Sequence, residues 1–195
     1  KGYVTSQIIL DNAGRIAGFF LGPPEPRVSG LDNALDGFSK LPGKVSVLVV
    51  SQDGILAQLD PELPLAVGSA FKLAVLAALK DQVAAGALAW DDVATLEAGH
   101  ISLPSGILQA WPVGSPLTIH TLASLMISVS DNTATDALIA LLGRDLIEKY
   151  TTLNHPLLTT REAFALKNAA NGDYLRTYRQ GDPDQRRGVL KQLQS

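Results

Sequence analysis

The 195-residue chain contains no cysteine and a single methionine. Without thiols it has no disulfide framework, no thiolate nucleophile and no cysteine-based metal site. Histidines are nearly as scarce. His100, His120 and His155 stand apart from one another, and zinc sites need clustered ligands, so each is read as a surface or helix-packing residue. An excess of positive charge is also missing. The formal net charge is −3, the isoelectric point is near 5.5 and the basic residues are scattered, which argues against nucleic-acid binding. No apolar run approaches the roughly twenty residues of a membrane span. The most hydrophobic stretch, 71–79, is broken by Lys80-Asp81. No leader pattern is visible and the first residue is not Met, as expected of a mature or trimmed form. Internal repeats and low-complexity tracts are absent. Trp90, Trp111 and Tyr150 lie too far apart for a stacking platform and are read as core or cleft-wall residues.

Ser69-Ala70-Phe71-Lys72 stands out against that background, because it is the only Ser-x-x-Lys in the chain. It opens an apolar helical stretch, 71–85. A serine in the first turn has its hydroxyl near the positive end of the helix dipole, and a lysine three residues on shares its face. Apolar neighbours desolvate the ammonium and lower its pKa, so a neutral amine becomes available as a base. These are the conditions of an activated serine nucleophile. The alternative is a capped, solvated helix end. The run Leu73-Ala74-Val75-Leu76-Ala77-Ala78-Leu79 is hydrophobic all round and predicts a central, buried helix, whose lysine needs a partner.

A second motif, Ser130-Asp131-Asn132, falls between two helical patterns. The first runs over 118–127, with Thr118 as N-cap and Leu117/Leu122 as staple. The second runs over 133–142 and stops at Gly143, a natural C-cap. A corner between helices presents a hydroxyl and a carboxamide that no backbone ladder consumes. In the alternative, Asp131 and Asn132 merely cap the following helix.

Together the two motifs resemble the serine hydrolases that handle penicillin, the class A β-lactamases and the penicillin-binding DD-peptidases, whose signature also includes a Lys-Thr-Gly. The spacing of the motifs and the hairpin read over 44–50 and 55–59 are similar too, so the resemblance covers roughly 29–161. It implies an α+β fold of the β-lactamase/transpeptidase type, with a helical region beside an antiparallel sheet. By position, Ser69 is the acyl-accepting nucleophile and Lys72 its proton relay. Ser130 passes the proton to the leaving nitrogen, and Asn132 binds the substrate's side-chain amide. The backbone N–H of Ser69 supplies half of an oxyanion hole. No metal or organic cofactor is implied. The partner is a small β-lactam or a peptidoglycan-like peptide, and the location is secreted or periplasmic.

Two departures qualify the resemblance. No Lys-Thr-Gly or equivalent triplet occurs, and the chain ends in a helix read over 182–194. The C-terminal strands are therefore expected to be missing and the domain incomplete at that end. No glutamate is placed to activate a deacylating water either. Tyr150 stands where the Glu of a Glu-x-x-Leu-Asn loop ending at Leu153-Asn154 belongs. Glu148 is read as a solvated neighbour of Lys149, and Glu162 as the N3 member of a capping box with Thr159. Acylation is expected and efficient hydrolysis is not. The rival readings are a DD-peptidase or esterase of the same fold, and a catalytically weak penicillin-binding sensor.

At the N-terminus, 5–10 and 15–21 read as strands around Asp11-Asn12-Ala13-Gly14. Gly22-Pro23-Pro24-Glu25-Pro26 then stiffens the chain into an extended linker. The segment Gly14-Arg15-Ile16-Ala17-Gly18-Phe19-Phe20 resembles the end of the NTF2-like domains that precede some β-lactamase-like domains. The expected division is a hairpin and Pro-rich linker over 1–27 and a hydrolase domain over 28–195.

Overall fold

The structure, a computed structural model, describes residues 2–26, 30–151 and 153–193. They form two compact units, Lys1–Ala66 and Val67–Ser195. The first opens with an antiparallel hairpin of β1 (Gly2–Leu10) and β2 (Ile16–Pro26). Asp11 builds its turn: Oδ1 accepts the N–H groups of Ala13 and Arg15, each at 2.9 Å. The second strand is longer than the sequence reading. The Pro-rich segment expected as a linker pairs with β1, Val4 facing Pro24 and Gly2 facing Pro26. Proline's fixed φ suits an edge strand whose N–H side needs no partner, so the stiffness read as a spacer serves pairing instead. The boundary expected at 27/28 lies outside the described residues. Helix α1 (Leu31–Ser39) follows, and then a second hairpin, β3 (Val47–Ser51) and β4 (Gly54–Leu59). Gly54, at φ 128°, takes a backbone conformation that a side chain would strain.

The second unit opens with a 3-10 turn, Gly68–Phe71, that runs directly into α2 (Lys72–Ala84). A short antiparallel pair, β5 (Val93–Thr95) with β6 (Pro116–Thr118), leads into α3 (Ile119–Ser128) and α4 (Asn132–Leu142). Local signals set these boundaries. The Thr118 side chain accepts from Thr121 N, that of Asp131 accepts from Ala134 N, and Gly143 at φ 78° ends α4. Then come α5 (Arg144–Glu148), α6 (Thr160–Lys167), α7 (Gly172–Gln180) and α8 (Pro183–Leu193). The Thr159–Glu162 capping box at the start of α6 is present in both directions.

Each strand pair stands as its own two-stranded sheet among the described residues. The main core joins Val75 and Leu79 of α2 to Leu122 and Met126 of α3 and Leu138 of α4. Fully burying each such side chain contributes about 1.5–3 kcal/mol. A smaller cluster of Leu166, Val189 and Leu190 ties α6 to α8. The expectation that α2 is buried all round is corrected. Its Lys72, Val75, Ala78 and Leu79 face is buried, while Leu73 is 60 % exposed. Those four positions share one side of a 3.6-residue period, and that side packs on α3, α4 and α5.

Candidate active site

Lys72 is the first residue of α2 and is 2 % exposed. Its ammonium has three N–H groups, and three acceptors meet them: Ser130 O at 2.7 Å, Ser130 Oγ at 2.9 Å and Asn132 Oδ1 at 2.8 Å. Ser130 Oγ in turn donates to Ser69 Oγ at 2.8 Å. The four residues singled out from the sequence therefore stand in one hydrogen-bonded chain, although fifty-eight residues separate Lys72 from Ser130. The order differs in one respect from the expectation. Lys72 reaches Ser69 through Ser130, its three N–H groups being taken up by the 130–132 corner. Burial holds the Lys72 ammonium below its usual value of 10.5, and the carboxylates of Asp131 and Asp136 oppose that shift.

The corner itself is strained and clamped. Ser130 sits at φ 54°, a left-handed conformation uncommon outside glycine. The twist turns its carbonyl to both Lys72 Nζ and Ser105 Oγ, each at 2.7 Å. Asp131 is fully buried. Its Oδ1 caps α4 through Ala134 N at 2.9 Å, and its Oδ2 accepts Ile107 N at 2.7 Å and Leu108 N at 3.0 Å. Gly106 passes so close that a Cβ there would lie 2.2 Å from the Asp131 carboxyl carbon, and its φ is 110°. The Asn132 carboxamide is oriented by complementary partners, Oδ1 towards donor-only Lys72 and Nδ2 donating to Leu103 O at 3.0 Å. One turn further along α4, on the face of Asn132, buried Asp136 accepts Thr160 N at 2.7 Å, Thr160 Oγ1 at 2.8 Å and Arg161 N at 2.9 Å. Its burial pushes its carboxyl up, against the pull of those donors.

A cavity of about 560 Å³ opens beside the corner, with Ser69 and Asn132 on its wall, the 153–160 loop along one side and Phe164 and Tyr178 further out. No carboxylate lines it among the described residues. Glu162 is 2 % exposed, completes the capping box and accepts Arg144 Nη2 at 2.7 Å. The reading of Glu148 as solvated is corrected. It is 8 % exposed, and its Oε1 accepts Leu157 N at 2.7 Å while its Oε2 meets His155 Nδ1 at 3.0 Å. Burial alone raises a carboxyl, but the Leu157 amide, His155 and Arg187 outweigh it and hold Glu148 low. Trp90, Trp111 and Tyr150, expected in the core or cleft wall, are 37–44 % exposed and do not line the cavity. Trp90 meets His120 edge-on, and Tyr150 bonds Asp81. The clamps Leu103, Ser105 and Gly106 escaped the sequence reading. They contact the corner across 24 to 29 positions or so, and no local pattern announces such a pairing.

Residues 29–182 match the beta-lactamase enzyme family. Among solved structures, a beta-lactamase from Sphaerobacter thermophilus DSM 20745 is 30 % identical with a TM-score of 0.55, over 60 % of this chain and 45 % of that one. PBP-A is 23 % identical with a TM-score of 0.57, over 65 % and 52 %. A beta-lactamase from Chitinophaga pinensis DSM 2588 is 26 % identical with a TM-score of 0.54, over 61 % and 46 %. The chain thus spans about half the length of these relatives. No curated protein matches. The matched span contains Ser69, Lys72, Ser130 and Asn132, and the protein belongs to the beta-lactamase enzyme family.

Proposed function

We propose that this chain carries the acylating half of a serine hydrolase, which opens a β-lactam or a related peptide amide on Ser69. The observation that carries this reading is the unbroken hydrogen-bonded path from Ser69 Oγ through Ser130 Oγ to the buried amine of Lys72. Ser69 Oγ attacks the carbonyl carbon. Its proton passes to Ser130 Oγ, which hands its own to neutral Lys72 Nζ. The developing oxyanion is met by the backbone N–H of Ser69, in the 3-10 turn that leads into α2. The amide C–N bond then breaks, and Ser130 protonates the leaving nitrogen while Lys72 replenishes Ser130. Asn132 keeps one N–H and one lone pair free among the described residues, enough to bind the amide of the acyl side chain. A PBP-A mutant solved as an acyl-enzyme complex with penicillin G has the same fold, with 23 % identity and a TM-score of 0.55. We take the hydrolase domain to run over 28–195 and the protein to act outside the cytoplasm. Among the described residues no helix is long and apolar enough to cross a membrane.

A fluorescent penicillin is expected to give one adduct per chain, read by intact mass. Ser69→Ala abolishes it, and an adduct surviving in that variant sinks the assignment. Lys72→Ala slows labelling about 10²–10⁴-fold, the usual loss with a general base. Because no carboxylate lines the cavity, steady-state hydrolysis of nitrocefin is expected well below about 10³ per second. The same absence favours a second reading, a penicillin-accepting sensor whose adduct persists.

A further inference from the structure

His155 is in the wall of the Ser69 cavity and pairs its imidazole with the carboxylate of Glu148, which is not part of that wall, and the acylation chemistry uses neither. Glu148 closes α5, and His155 lies in the loop ahead of α6. Their contact is 3.0 Å, from Glu148 Oε2 to His155 Nδ1. The carboxyl is held low by its surroundings, so at neutral pH it is an acceptor only. Nδ1 must then carry the hydrogen, which leaves the lone pair of the neutral ring on Nε2. That nitrogen has no partner among the described residues, and His155 lines the cavity with Ser69 and Asn132.

The loop is fixed from three sides. Leu157 N donates to Glu148 Oε1 at 2.7 Å, Arg186 Nη1 donates to His155 O at 3.2 Å, and Tyr178 Oη donates to Pro156 O at 3.4 Å. The charged groups around the pair are Arg187, 3.8 Å from Glu148 Oε2, and Arg186. Of the other titratable side chains on the cavity wall, Lys167, Arg179, Arg186 and Tyr178, none belongs to a type that ordinarily gives up a proton near neutrality. An imidazole does.

We infer that His155 is the base that frees the acyl-enzyme, with Glu148 as the residue that positions it. The inference rests on the proposed acylation of Ser69. Nε2 removes one proton from a water in the cavity as its oxygen bonds to the acyl carbonyl carbon. The tetrahedral adduct then collapses. The carbon–Oγ bond to Ser69 breaks, the imidazolium returns its proton to Oγ, and the product leaves as a carboxylic acid. Glu148 accepts from Nδ1 throughout and holds the productive tautomer, the role an aspartate plays behind a triad histidine.

The test separates the two half-reactions with a fluorescent penicillin, measuring the rate of labelling and then the rate at which label is lost after a chase. His155→Gln is expected to label at the wild-type rate and to lose label about 10²–10⁴-fold more slowly. Glu148→Gln still accepts Leu157 N but presents an N–H to Nδ1. It therefore forces the proton onto Nε2 and should give the same retention of label, with the double variant no slower than His155→Gln. Imidazole added to His155→Ala should restore release in proportion to its concentration. If the variants fail to fold, acylated wild-type protein treated with diethyl pyrocarbonate, which caps imidazole nitrogens, must hold its adduct. Release at the wild-type rate in His155→Gln or in the capped protein, or a wild-type adduct that never decays, overturns the inference. A wild-type protein that takes no label on Ser69 overturns the acylation reading itself.

Discussion

Among the described residues, the unit Lys1–Ala66 buries one side chain, Ala57, whereas the unit Val67–Ser195 buries a continuous apolar core and ten polar or charged residues, Lys72 to Glu162. In the first, Ile8, Leu10, Phe19, Phe20 and Leu21 stand exposed on a two-stranded ladder. Two-stranded ladders are marginal by themselves, and their order comes from turns such as that of Asp11. In the second, almost every buried side-chain nitrogen or oxygen of the described residues has a partner, Gln109 Oε1 and Thr151 Oγ1 being the exceptions. The contrast shows where this chain places its specificity. A side chain in the first unit is supported by local pairing, while one in the second is bound to partners far along the sequence, and removing it leaves those partners stranded.

The sharpest way to break that contrast is Asp131→Ala. It deprives the amides of Ile107, Leu108 and Ala134 of their acceptor. At about 1–3 kcal/mol for each stranded group, urea unfolding should show a loss of about 3 kcal/mol or more. A loss below about 1 kcal/mol would mean that the buried network is decorative.

A smaller and conditional effect is expected at Lys72. Its folded value lies below 10.5 because burial disfavours the ammonium. Between the two values the unfolded chain binds a proton that the folded one does not, so this residue's contribution to stability rises with pH in the alkaline range below 10.5 and is lost as pH falls through the lowered folded value. Tyr150 and Tyr178 are both raised and act in the opposite sense. The readout is therefore the difference between wild type and Lys72→Met in unfolding midpoint across that range. A difference that stays flat removes the premise of a destabilised ammonium. The smallest effect belongs to the first unit. Phe19 is 56 % exposed, so Phe19→Ala should change stability by no more than about 0.5 kcal/mol. A loss matching that of Asp131→Ala would show that the hairpin depends on its side chains to the same degree as the core.

The same division governs what the amino-acid sequence reveals on its own. Signals written within four residues are legible. Thr118 and Asp131 cap α3 and α4, Gly143 stops α4, and Thr159 with Glu162 forms its box. Of the candidate site, Ser69, Lys72, Ser130 and Asn132 are singled out by two short motifs, and the structure brings all four together. What surrounds them is not. In sequence Glu148 is one charge in a polar helix end, because its partners lie at 155, 157 and 187 and only the folded chain delivers them. The Pro-rich segment misleads for a related reason. Proline's φ suits a spacer and an edge strand equally, and only the presence of β1 decides between them.

Gly106 carries a lesson for anyone who would move this hydrogen-bonded corner to another scaffold. Copying the serine, the lysine and the Ser-Asp-Asn corner would reproduce every group in the hydrogen-bonded path but not the 105–108 segment, which lies against Asp131 and bonds both it and the left-handed Ser130. That approach leaves no room for even one methyl group at position 106. The portable unit is therefore two motifs and a loop with an obligatory gap in its side chains, and a graft that treats the loop as filler would inherit the residues without their arrangement.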